Sequence, residues 1–296
     1  MEDQRLIHDN IRLATNDLEF IWCELKARWI KKKIMKSLEE DPGDLEKKEI
    51  LTYLQQNPMT VFPYEFKNQY HMEGVSVAKE NNLYYVMHHG KKLFLKSKYQ
   101  SAFRAKRYYS NLCMEQDVHS PHRYCTDSFV PEKDCIIVDV GGAEGIFSLE
   151  YIEQCKHAYI FECDQDWIDA MKYTFAPYQD KITIIPKFVS NINNEQYISL
   201  DEFVKEYHLE QEKLFIKVDA EGSEPLIYEG MKQILEQNQK FCLALCTYHC
   251  DWHHDYFTKE FASYQVETTP GYMLYYYDMN YASPYLRRGV LRVRND

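Results

Sequence analysis

Three acidic residues and one glycine turn carry the chemistry open to this sequence. Asp139-Val-Gly141-Gly142-Ala-Glu-Gly145 follows an apolar run that reads as a buried strand. Glycines at such a turn let a ligand approach the backbone closely, and the following helix start offers free N–H groups. Glu162 ends the next apolar run, twenty-one positions after Gly141, where a carboxylate can accept both hydrogen bonds of a ribose diol. Asp219 ends another, inside Lys217-Val-Asp219-Ala-Glu221-Gly222. A tight strand-to-helix turn alone would explain Gly141 or Gly145 singly. Their combination with Glu162 points to a nucleoside cofactor. Dinucleotide enzymes favour G-x-G-x-x-G, but position 143 is alanine and Asp139 lies inside the motif. An acid beside the loop suits a cationic sulfonium with an α-amino group and repels a pyrophosphate. The expected cofactor is therefore S-adenosylmethionine (SAM) rather than NAD.

Asp219 is the first candidate for the reaction centre. It can act on an acceptor hydroxyl, orient it, or hold the cofactor's amino group. Glu221 is either catalytic or fixes the local turn through backbone N–H groups. Strand alternation puts Lys217 on the same side as Asp219, as an expected salt-bridge partner. His249 follows a later strand, while His119, His122 and Tyr124 lie in a segment placed to cover the cofactor or line the substrate mouth. Each imidazole is a candidate base or a structural hydrogen-bonding group. Cys242, Cys246, His249, Cys250, His253 and His254 cluster in sequence, but no second C-x-x-C pair completes a zinc site, and no metal is expected.

The elements that position these groups alternate. From Asp134 onward the order is strand, helix, strand, helix, with five strands beginning near Cys135, Ala158, Ile182, Leu214 and Phe241. That is an α/β sheet with parallel strands and helices on both faces. Asp164 and Ser223 are expected helix caps, and the helix after Ser223 presents Leu226, Ile227, Met231, Ile234 and Leu235 inward. A closing hairpin is expected around Pro270-Gly271. Upstream lie helical stretches and a three-stranded meander turning at Asn81-Asn82 and His89-Gly90. Ile7, Ile11, Ala14, Leu18, Ile21 and Leu25 form a heptad stripe that either packs on the body or pairs with a second copy as a homodimer.

The composition narrows the classes. There are 35 Lys and Arg against 46 Asp and Glu, a net charge of −11, which disfavours nucleic acid as partner. No apolar run reaches the roughly 18–20 residues of a membrane span, so no integral membrane association is expected. The first ten residues carry no apolar signal core, and the nine cysteines have no framework spacing. Reduced thiols in a cytoplasmic protein are the expectation.

At this point the sequence resembles the FkbM family of SAM-dependent methyltransferases. The resemblance rests on Val138-Asp-Val-Gly-Gly-Ala-Glu-Gly145 with Phe147-Ser-Leu149, Phe161-Glu162, Leu200-Asp-Glu202, Lys217-Val-Asp-Ala-Glu-Gly-Ser-Glu224, and Tyr248-His249 with Asp251. It covers about Glu115 to the C-terminus. It implies a Rossmann-like seven-stranded methyltransferase sheet over 115–296, with 1–114 as a helical and β-meander cap. It also implies O-methylation of a hydroxyl on a sugar, glycan or small metabolite. The implied cofactor-binding residues are Asp139, Gly141, Gly142, Gly145, Glu162, Cys163, Asp164 and Ser190. Cys163 stands where the family usually has proline, and Gly142 where it usually has alanine. The rival readings are N-methylation, an NAD-dependent oxidoreductase, and a non-catalytic scaffold that kept the nucleoside pocket.

Overall fold

The computed structural model describes residues 17–237, 240–275 and 284–295, with side chains of the first helix described from Lys26 onward. Helix α1 (Asp17–Glu39) and helix α2 (Leu45–Gln56) meet at the Asp41-Pro-Gly-Asp44 turn. The Asp44 carboxylate caps α2 by accepting from the N–H groups of Glu46 and Lys47. Ile30, Ile34 and Leu38 of α1 are buried with Ile50 and Leu54 of α2. The heptad residues Ile7 to Leu25 lie outside the residues whose side chains are described.

The meander is β1 (Val77–Glu80), β2 (Leu83–His88) and β3 (Lys91–Phe94), antiparallel in that order. Both turns hold two successive left-handed residues: Asn81 and Asn82 at φ 52° and 64°, His89 and Gly90 at φ 46° and 82°. That is the twist a two-residue hairpin loop needs. Helix α3 (Ala102–Glu115) follows, capped by Ser101.

The main sheet is built on β4 (Ile136–Val140), followed by α4 (Ile146–Tyr151), β5 (His157–Phe161), α5 (Gln165–Thr174) and β6 (Ile182–Ile185). After the short pair β7 (Phe188–Val189) and β8 (Tyr197–Ile198) come α6 (Leu200–Glu206) and β9 (Leu214–Val218). Then follow α7 (Glu224–Glu229), α8 (Lys232–Glu236), β10 (Phe241–Cys246), α9 (His253–Glu260) and β11 (Gln265–Thr268). The chain closes with the small pair β12 (Met273–Leu274) and β13 (Leu286–Arg287), and with β14 (Val290–Arg294). The sheet order is β11-β14-β10-β9-β4-β5-β6, seven strands. β14 runs antiparallel to both neighbours, while β10, β9, β4, β5 and β6 are mutually parallel. This is the seven-stranded Rossmann-like sheet that the resemblance implies, with one strand reversed.

Two expectations fail here. Among the described residues the hairpin expected around Pro270-Gly271 does not form: β11 pairs with β14, which inserts between β10 and β11, and β12 pairs with β13. Nor is there one helix after Ser223. It breaks at Gly230, where a Cβ would stand 2.1 Å from the Ser190 carbonyl oxygen. Ser223 occupies the cap position without a side-chain bond.

Strand alternation gives the sheet two apolar faces. Ile136, Val138 and Val140 pack with Leu200, Phe203 and Ile227 on one side. Ile137 and Phe215 pack on the other in a cluster that also holds Ile34, Ile50, Leu93 and Leu112. The core therefore runs without a break from the N-terminal elements onto the sheet. Among the described residues no helix is long and apolar enough to cross a membrane.

Candidate active site

The order of strands reverses at β4, with β5 and β6 on one side and β9 and β10 on the other. Ligands of open α/β sheets sit beyond the carboxyl ends at such a point. A cavity of about 370 Å³ opens there. Its wall includes Gly141, Gly142, Glu144, Glu162, Asp164, Lys217, Asp219 and Glu221, with Tyr124 from the segment after α3. The segment before β4 contributes Tyr99 and Tyr108, which stand against Trp167 of α5 with ring centroids 5.9 and 5.6 Å away.

The glycine turn is held from below. Gly141 sits at φ 73°, and a Cβ there would lie 2.0 Å from the Asp219 carbonyl oxygen. A Cβ at Gly142 would lie 2.1 Å from Ile160 Cγ2. Close packing against β9 and β5 thus requires these two glycines. Gly145 is left-handed at φ 79° and packs toward the Phe175 ring rather than the cavity.

Glu162 anchors the turn to the next strand. Its Oε2 accepts from the Ala143 N–H at 2.8 Å, and its Oε1 accepts from the Cys163 and Asp164 N–H groups, each at 2.7 Å. A carboxylate offers about four acceptor sites. Three are taken, so a ribose diol finds one, and a two-bond grip requires release of a backbone N–H. The Asp164 carboxylate caps α5 through the Asp166 N–H and accepts from Lys96 Nζ at 2.6 Å.

Asp139 does not line the cavity. It is fully buried, accepts from Ser148 Oγ at 2.8 Å, and lies 3.1 Å from Lys217 Nζ. Parallel register explains the pair, because Asp139 and Lys217 are opposite each other on β4 and β9. The expected partner of Lys217 was Asp219; it is Asp139. Lys217 also donates to the Gly141 carbonyl at 2.7 Å. Burial works against its charge, but Asp139 and Asp219 keep it charged.

Asp219 is the centre of a buried polar cluster. Tyr124 Oη donates to Oδ2 at 2.8 Å and Tyr248 Oη donates to Oδ1 at 2.9 Å. His122 Nε2 is 3.6 Å from Oδ2 and His249 Nε2 is 3.4 Å from Oδ1. Burial pushes this carboxyl up, but His122, His249 and Lys217 outweigh it and hold it well below the usual carboxylate range. Asp219 is thus a fixed anion with both oxygens engaged. Behind it, His249 Nδ1 meets Glu224 Oε1 at 2.7 Å. Burial disfavours the imidazolium, yet Glu224 and Asp219 raise its proton affinity overall. The turn after β9 is pinned by Glu224, which accepts from the Ala220 N–H at 3.0 Å. Glu221, expected to do this or to act chemically, is left-handed at φ 52° and its side chain is 59% exposed.

Two residues escaped sequence reasoning although both lie inside quoted motifs. One is the buried Glu224. The other is Glu144, 4% exposed on the cavity wall, with the Tyr108 hydroxyl donating to Oε2. Burial pushes Glu144 up to about 7, against the pull of the Tyr108 bond. Their only signal was a carboxylate in the turn or helix start that follows a strand, which sequence alone does not separate from a surface acid.

The remaining candidates lie apart. His122 is buried against Tyr248, whereas His119 faces a separate groove with Phe66 and Arg123, its side chain 72% exposed. Cys163 and Ser190 do not line the cavity; Ser190 packs behind Gly230. Cys246, Asp219 and His122 come within metal-ligand reach of one another, as do Asp219, Glu224 and His249. The other four members of the Cys/His run add no ligand to either group.

No protein-family profile and no curated protein matches the sequence. Among solved structures the chain is similar to a methyltransferase FkbM from Methylobacillus flagellatus KT. That match has 16% identity and a TM-score of 0.42, over 67% of this chain and 56% of that one. It is also similar to an rRNA methylase from Streptococcus thermophilus, with 10% identity, TM-score 0.37, and 56% and 89% covered. A precorrin-6Y C5,15-methyltransferase from Geobacter metallireducens GS-15 matches with 13% identity, TM-score 0.35, and 55% and 82% covered. The chain spans little more than half the length of the first of these. The class that the fold itself defines, by strand order and direction, is the Rossmann-like seven-stranded sheet.

Proposed function

We propose that this chain is a SAM-dependent O-methyltransferase of the kind the FkbM resemblance implies, acting on a hydroxyl of a sugar, glycan or small metabolite. One observation carries the reading: a single cavity at the strand-order switch collects the glycine turn, Glu162 and Asp219. Its volume of about 370 Å³ falls within the roughly 300–1,000 Å³ of small-molecule sites. The donor set fits SAM, since Glu162 keeps an acceptor for a ribose hydroxyl and the Glu144 and Asp219 carboxyls favour a cationic ligand. When bound, SAM supplies an electrophilic methyl group on a sulfonium.

The chain's own residues do the rest. Asp219, anchored by two tyrosine hydroxyls, orients what enters the cavity and balances positive charge. Its low proton affinity makes it a poor base. Glu144 is the carboxyl tuned near neutrality, so it takes the proton of the acceptor hydroxyl as the new C–O bond forms. Tyr99, Tyr108 and Trp167 shut out water and offer flat faces to a sugar ring. The excess of 46 acidic over 35 basic residues favours a small acceptor over a nucleic acid.

Incubation with SAM and a panel of hydroxyl and amine acceptors should yield a methyl ether and S-adenosylhomocysteine. Oxidation of the hydroxyl with NAD, and no methyl transfer, would replace this reading with the oxidoreductase. Glu162→Ala should weaken SAM about 10- to 100-fold in calorimetry, the effect of losing one or two charge-assisted hydrogen bonds. An unchanged affinity would remove Glu162 from the ribose site.

A further inference from the structure

Away from the cavity, the β2–β3 turn of the cap meets α4 through two histidines and one carboxylate. His88 Nε2 is 2.6 Å from Glu150 Oε2, and His89 Nδ1 is 2.9 Å from the same oxygen and 3.0 Å from Oε1. The two imidazole rings stack with centroids 4.4 Å apart. Three ligand atoms of the right type thus lie within 4.8 Å of one another, although Glu150 is 62 residues from His88.

We propose that His88, His89 and Glu150 form a divalent-metal site of the zinc type that staples the cap's hairpin to the helix after the glycine turn. Two imidazoles and a carboxylate are a borderline donor set that suits zinc, with water completing the tetrahedron. Zinc bonds of about 2.0–2.1 Å place neighbouring ligand atoms about 3.3 Å apart, wider than the two imidazole–carboxylate spacings here. The stacked rings must splay for their lone pairs to converge. His89 has the room, since 66% of its side chain is exposed.

The surroundings match what a metal-binding histidine needs. Tyr109 Oη stands 3.1 Å from His88 Nδ1. When His88 Nδ1–H donates to that hydroxyl, the Nε2 lone pair is directed at the metal position, and the ring orientation is fixed. His89 keeps its left-handed backbone at φ 46°, in a two-residue turn that presents consecutive imidazoles on one side. That conformation is uncommon for a residue other than glycine.

The test is a zinc titration of the full chain by calorimetry, followed by X-ray absorption at one equivalent. The expected result is one site with nitrogen and oxygen ligands only, and a thermal midpoint that rises with zinc. His89→Ala and Glu150→Gln should each weaken zinc at least tenfold, with an unchanged circular dichroism spectrum. Tyr109→Phe should weaken it less. Absence of binding would overturn the proposal. So would a sulfur shell near 2.3 Å, the mark of a cysteine site, or wild-type zinc affinity in the two ligand variants.

Discussion

Asp219→Ala should lower folding stability by about 3–5 kcal/mol at neutral pH, the usual consequence of deleting one member of a buried charge cluster. The residue is 8% exposed. Its removal leaves the Tyr124 hydroxyl without its acceptor, leaves the Tyr248 hydroxyl only His122 Nε2 at 3.2 Å, and takes negative charge from His249 and Lys217. Lys217 still has Asp139 and His249 still has Glu224, which limits the loss. The pH dependence has a definite sign. The folded carboxyl titrates well below 3.8, so its contribution is present above the unfolded value and lost as pH falls through the folded one. Urea unfolding of wild type and variant should therefore differ most at pH 6–8 and converge in strong acid. Curves that coincide at neutral pH would show that Asp219 is not the centre of the cluster.

Glu144→Gln should separate stability from activity. The folded carboxyl is raised from 4.5 to about 7, so the native state favours the protonated form. Stability from this group is full below 4.5 and is lost as pH rises through about 7. The difference corresponds to about 3 kcal/mol once the carboxyl is ionised. Glutamine cannot ionise, so the variant should be the more stable protein at pH 8.5, by up to that amount, and similar to wild type at pH 4. Methyl transfer should move the other way, falling at least 100-fold in kcat, as for loss of a general base. A variant with full turnover would assign the proton to another group. A variant without the alkaline gain would show that Glu144 is solvated.

Much of this site was legible in the residues. Glu162 was placed by its distance from Gly141 and by the apolar run before it, because strand ends and turn chemistry are local properties. Asp139 and Lys217 were harder. Alternation gives the face of each side chain, but only the pairing of β4 with β9, 78 residues apart, shows that they neutralise each other. Strand β14 was missed for a related reason. Arg292 interrupts its apolar pattern, and the buried guanidinium is satisfied by the Arg123 and Tyr124 carbonyls and by Glu267, all distant in sequence. His119 and His122 sit in a coil with no periodicity, so nothing local told which would turn inward. Glu224 and Glu144 look like surface acids until their neighbours are known.

The reading as a whole depends on an adenosine sulfonium settling between the glycine turn, Glu162 and Asp219. Calorimetric titration of the purified chain with SAM, S-adenosylhomocysteine and NAD measures this directly. One saturable site for the first two, competing with each other and lost in Glu162→Ala, is the result expected. Heat from NAD with none from SAM, or SAM binding indifferent to Glu162, would contradict it.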